Sequence, residues 1–141
     1  VEIFMSINNR EEVIQLPILP SSIMISSPHN NNVFTSISAG DLKIMGNRGL
    51  KSMILSSFFP LKNDRYNNKI QQNKDHEGWE WVEIIESWID RGIPIRLVVT
   101  DTPINIAMTI DNFEYGVQDG TGDIFYTLTL SEFRIIELRE G

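Results

Sequence analysis

Cysteine is missing from all 141 residues, which excludes a disulfide framework, a thiolate metal site and a thiol nucleophile. Histidine occurs only as His29 and His76, in separate polar stretches. Zinc sites need three or four converging ligands, so no metal is expected, and solvent-facing loop positions or a place near a helix start account for both. Basic residues are also scarce, 12 Lys and Arg against 19 Asp and Glu, a net charge of -7. Nucleic acids are held through Lys and Arg that neutralise phosphates, so that class of partner is disfavoured. No apolar run approaches the roughly 20 residues that span a bilayer, and residues 1–20 lack the basic start and apolar core of a signal peptide. The expectation is synthesis in the cytoplasm, with no membrane partner.

What remains is an ordinary folding composition. Hydrophobic residues make up 41% and charged residues 22%, enough apolar content to exclude general disorder and, at this length, to build one core. A single domain over residues 1–141 follows. The clearest pattern lies in residues 78–110. At 100° per residue Trp81, Val82, Ile84, Ile85, Trp88 and Ile89 fall on one arc, with Glu80, Glu83, Glu86, Ser87 and Asp90 opposite. This predicts an amphipathic helix, stopped by Gly92, which accepts the left-handed conformation of a C-cap. Ile93, Ile95, Leu97 and Val99 then alternate at period two, so the helix feeds a strand.

Elsewhere the period is two. Val1, Ile3, Met5 and Ile7, the turn Asn8-Asn9-Arg10, and Ile14, Leu16 and Ile18 read as an opening hairpin. Pro17 and Pro20 donate no ladder hydrogen bond, which puts the end of the second strand at an edge or outside the sheet. Short strands are expected from Ile23 to Ser26, from Val33 to Ile37 after the polar turn at residues 28–32, and around Leu42 and Ile44. Gly46-Asn47-Arg48-Gly49 is turn chemistry leading into a strand over residues 50–59. Residues 61–77 lose the apolar pattern and are rich in Asn, Lys and Gln. They predict a long exposed polar loop, mobile until a partner orders it. A strand over residues 105–117 changes apolar phase between Ile106, Met108, Ile110 and Phe113, Tyr115, Val117, which a β-bulge near Asp111-Asn112 would reconcile. Asp119-Gly120-Thr121-Gly122 closes a hairpin onto Ile124, Tyr126, Leu128 and Leu130, and a last strand runs from Phe133 to Leu138. The sum is a mainly β, α+β fold: a small antiparallel β-barrel or sandwich with one flanking amphipathic helix.

Candidate chemistry is thin. Glu80, Glu83, Glu86 and Asp90 recur at helical spacing, yet they lie opposite the apolar arc. Carboxylates facing water lack the desolvation that acid and base catalysis relies on. The run from Asp119 to Asp123 lacks both the spaced acids of a calcium loop and the Lys of a phosphate loop. No Ser stands in a nucleophile-elbow context. Catalytic, cofactor-binding and metal residues are therefore none, no cofactor is implied, and no enzyme is expected. Trp79, Trp81 and Trp88 would suit sugar stacking, but Trp81 and Trp88 share the apolar arc and belong in the core. Trp79 lies off it, free to cap the fold, pack under the loop or face a partner. Arg91, Arg96, Arg134 and Arg139 are candidates for protein interfaces.

Several blocks in order carry a family likeness: IFMSINNREEVIQLPILPSSIMISSPHNNNVF (3–34), GDLKIMGNRGLKSMILSSFFP (40–60), GWEWVEIIESWIDRGIPIRLVVTDTPINIAMTI (78–110) and QDGTGDIFY (118–126). Together they resemble the N-terminal domain of LysM-containing tail and baseplate proteins of PBSX-like prophages, of contractile-tailed phages of Gram-positive bacteria and of phage-tail-like bacteriocins. The resemblance implies the tail-tube fold and a structural role as adaptor between the tail tube and the baseplate hub. It implies a place in a virion or tail-like particle. The implied partners are copies of itself in a ring, expected to be a hexamer, together with the tail tube protein and hub or spike proteins. Residues 61–77, the hairpin tip at 119–123 and the two terminal strands are the expected contact regions. The family usually continues into a LysM segment, which is absent from this sequence. A tail-associated module that binds cell-wall glycan is the alternative reading.

Overall fold

The computed structural model describes residues 1–29, 32–36, 40–44 and 49–134. The elements follow as β1 (Ile3–Ile7), β2 (Glu12–Gln15), β3 (Ile25–Ser26), β4 (Asn32–Ser36), β5 (Gly40–Ile44), β6 (Ser52–Phe59), α1 (Glu80–Arg91), β7 (Ile95–Val99), β8 (Asn105–Val117) and β9 (Ile124–Glu132). Seven strands form one sheet in the order β2-β1-β7-β8-β9-β6-β3, and β4 pairs with β5. Every pairing is antiparallel. The mainly β architecture with one flanking helix is as the sequence predicts. Among the described residues β2 and β3 end the ladder without pairing to each other, so the sheet stays open. The turn predicted at 46–49 and the strand predicted from Phe133 to Leu138 fall largely outside the described residues.

Local chemistry sets the element ends. The β1–β2 turn has Asn8, Asn9 and Arg10 all at positive φ, at 46°, 55° and 71°, a region that Asn tolerates better than most residues. At the start of α1 no side chain caps from Trp79; instead the Glu80 carboxylate accepts the Glu77 backbone N–H at 3.1 Å. Glu80 and Glu83 in the first turn and Arg91 in the last both complement the helix dipole. Gly92 closes the helix at φ 65°, donating its N–H to the Ile89 carbonyl at 3.0 Å.

The core lies between α1 and one face of the sheet. Trp81, Val82, Ile85 and Trp88 of α1 are buried against Ile3, Met5 and Ile7 of β1, Ile95, Leu97 and Val99 of β7, and Ile124, Tyr126, Leu128 and Leu130 of β9. Burying each such side chain contributes about 1.5–3 kcal/mol. Phe59 is stacked between Trp81 and Tyr126, with ring centroids 5.8 and 4.3 Å away. At the other end of the helix the Trp88 indole N–H donates to Glu12 on β2, and Arg91 pairs with Glu11 at 3.6 Å. In β8 the pairing with β9 steps from Ile110 opposite Leu130 to Asn112 opposite Thr129. This is the expected bulge, and it returns Phe113, Tyr115 and Val117 to the face that carries Met108 and Ile110.

Candidate functional site

Three surface features stand out, and the first is polar. Residues 61–77 join β6 to α1, and the expectation of a wholly exposed loop fails at Gln71 and Asn73, which are buried. The segment is tied down from inside the molecule. The Asn73 side-chain amide donates to the Gln15 carbonyl at 2.8 Å, and the Gln72 N–H donates to the Pro17 carbonyl at 2.7 Å. Its main anchor is Asp123, 1% exposed at the end of the β8–β9 turn. That carboxylate accepts the Leu61 N–H at 2.9 Å, the Tyr66 hydroxyl at 2.6 Å and the Arg65 guanidinium at 3.2 Å. Arg65 also donates to the Thr121 carbonyl.

The tip itself is prepared for this contact. Asp119 accepts from both the N–H and the hydroxyl of Thr121, which holds its carboxyl below the usual Asp value. Gly122 sits at φ 80°, where an added Cβ would come within 2.7 Å of the Leu61 side chain. The Tyr66 phenol is pushed up, first by the hydrogen bond it gives to Asp123 and then by burial. Residues 119–123 form the expected hairpin turn, and Asp123 within it anchors residues 61–77, a role that turn composition alone does not disclose. No periodicity marks such a residue; an acid immediately before an apolar strand was the only available signal.

The second feature is aromatic. Tyr115 and Val117 of β8 face the helix side of the sheet, opposite the buried Tyr126 and Ile124, yet they are 42% and 53% exposed. With Trp79 they make up an exposed aromatic projection. Trp79, 44% exposed, meets Tyr115 edge-on with centroids 6.2 Å apart. The Glu86 carboxylate pushes the Tyr115 phenol up, by hydrogen bonding and then by its charge. The third feature is a groove of about 630 Å³ on the opposite face, lined among others by Phe4, Val13, Val98, Ala107 and Phe133, with Arg10 and Arg96 as its charged lining residues.

The other singled-out residues divide cleanly. Trp81 and Trp88 are core, as expected, and Glu80, Glu83 and Asp90 are exposed. Arg91 pairs with Glu11, Arg96 donates to Asn105 at 3.1 Å, and Arg134 donates to the Gly49 carbonyl and to Glu132. Arg139 lies outside the described residues. His76 packs edge-on against Trp81 at 4.9 Å. Among the described residues no group of three or more His, Asp and Glu is placed to hold a metal ion.

No protein-family model matches the chain. The Bacillus subtilis (strain 168) protein YqbP, described as uncharacterized, is 29% identical over 136 residues. That match takes in 95% of this chain, which spans 60% of the relative's length. Among solved structures, a chain from the tail of an empty gene transfer agent particle, refined with C6 symmetry, superposes at a TM-score of 0.61. The superposition covers 99% of this chain and 95% of that one at 16% identity. The fold is that of a tail-particle protein. A chain from the virion of the native gene transfer agent gives a TM-score of 0.58 at 16% identity, covering 94% of this chain and 92% of the other.

Proposed function

We propose that this protein is a non-enzymatic structural component of a contractile phage tail or tail-like particle, an adaptor that joins the tail tube to the baseplate hub as a ring of copies. The observation that carries the reading is the end-to-end likeness of fold to a chain from a six-fold particle tail, across 99% of this protein. The ordered sequence blocks point the same way. The mechanism is mechanical. A sheet whose ladder ends at β2 and β3 among the described residues, with an exposed aromatic projection on β8, offers contacts to neighbours that need no catalytic pocket. A net charge of -7 favours neighbours with basic surfaces and disfavours nucleic acid.

The experiment is to add purified, gold-labelled protein to disrupted tail particles and image them by negative stain. Label at the baseplate end of the tube supports the adaptor. Label along the tube or on no tail part contradicts it, and retention on peptidoglycan by an unassembled monomer would transfer the assignment to the glycan-binding module.

A further inference from the structure

The aromatic projection and the groove on the reverse face are complementary in charge, and both present apolar side chains. The projection carries Trp79 and Tyr115, with Glu83 one helical turn from Trp79 and the Glu86 carboxylate acting on the Tyr115 phenol. The groove combines apolar side chains with Asn residues and is basic, whereas the projection is aromatic and acidic. Arg10 and Arg96 line it, and no Asp or Glu does. From this complementarity we infer that the Trp79–Tyr115 projection of one copy seats in the Arg10–Arg96 groove of the next copy of the same chain. The inference rests on the ring reading above and names its contact.

The geometry decides what kind of contact this is. Ala107 in the groove and Tyr115 in the projection lie on the same strand, β8, eight residues apart. At about 3.3 Å per residue they are roughly 25 Å apart. They also face opposite sides of the sheet: Tyr115 lies opposite the buried Tyr126, and Ala107 neighbours the buried Met108 with alternate orientation. A surface that donates at one end and accepts at the other, on the reverse face, is heterologous. Such contacts close into a ring or run on as a filament, whereas a two-fold dimer would need both features in one patch. Trp, Tyr and Arg are also the residues that most often dominate binding energy at protein contacts.

Charge reversal provides the test. One variant carries Glu83→Lys and Glu86→Lys, the other Arg10→Glu and Arg96→Glu, and the mass of each full chain is measured by light scattering. Each alone places like charges across the contact, and self-association is expected to weaken about a hundredfold or more. An equimolar mixture places opposite charges at both contacts and is expected to restore the assembly. If the wild-type chain forms rings and both variants do so equally well, the ring stands and this contact is wrong. A wild-type chain that remains monomeric up to millimolar concentration overturns the ring and the contact together.

A second measurement does not depend on those variants folding. Because the chain has no cysteine, Val117→Cys and Val13→Cys copies can be mixed and joined with a short bis-maleimide. Cross-linked heterodimers, with each variant alone giving none, support the contact. Cross-linking within either variant alone, or none in the mixture, contradicts it.

Discussion

The helix-covered part of the sheet and the tip of the β8–β9 ribbon are held by different forces. Under α1 the contacts are apolar and stacked, with Trp81, Phe59 and Tyr126 in one column and Trp88, Ile85 and Val82 beside it. At the tip a single carboxylate, Asp123, gathers Leu61, Arg65 and Tyr66 onto itself. The first region is stabilised by many redundant small terms, the second by a few directional ones around a buried charge. Local opening without global unfolding is therefore expected at the second region and not at the first. Residues 61–77 hang on the Asp123 cluster and on a few further polar bonds such as Asn73 to the Gln15 carbonyl, so polar changes can loosen them locally, while no single polar change would free α1 from the sheet.

Removing a core ring should have the largest effect. Trp81→Ala leaves Phe59 unsupported on one side and is expected to cost about 4 kcal/mol of global stability, read by denaturant unfolding as a lower midpoint with an unchanged slope. Next, Asp123→Ala should cost about 3 kcal/mol, because the Leu61 N–H, the Tyr66 hydroxyl and Arg65 all lose their acceptor. Hydrogen exchange sharpens the contrast. Asp123→Ala should speed exchange first in residues 61–77 while β1, β7 and α1 keep their protection, and uniform acceleration would erase the distinction between the two regions.

The smallest expected effect concerns pH. Tyr66 donates to Asp123, which raises its phenol above the ordinary value near 10. A raised folded-state value means that this contribution is complete below pH 10 and is lost as pH climbs through the folded value. Tyr66→Phe should therefore lower stability by about 1 kcal/mol at neutral pH and flatten part of the alkaline decline. Burial of Tyr126 and the influence of the Glu86 carboxylate on Tyr115 push those phenols up as well. Phenolate absorbance of the native chain should thus appear above the pH at which the urea-unfolded chain titrates, and a step at the unfolded value would show that these bonds are not made.

The same two regions differ in how well they can be read from sequence. The α1 arc, its Gly92 stop, the alternation in β7 and the bulge in β8 were all legible, because each follows from periodicity that burial imposes directly. The anchoring of residues 61–77 was not legible. Gln71, Asn73 and Asp123 are polar residues in polar surroundings, and only tertiary proximity tells a buried, satisfied side chain from a solvated one. The projection was half legible: Trp79 fell off the apolar arc, but Tyr115 and Val117 kept strand alternation and looked like core. They are exposed while Tyr126 and Ile124, opposite them on β9, are buried, a difference set by what packs over each strand and not by the residues of one strand.

The central claim is that this chain works as one copy in a closed ring. The most direct measurement is the mass of the purified wild-type protein by sedimentation equilibrium over a wide concentration range. The account predicts a single closed species of six copies in reversible exchange with monomer. A monomer that never associates, or a dimer that saturates, would contradict it.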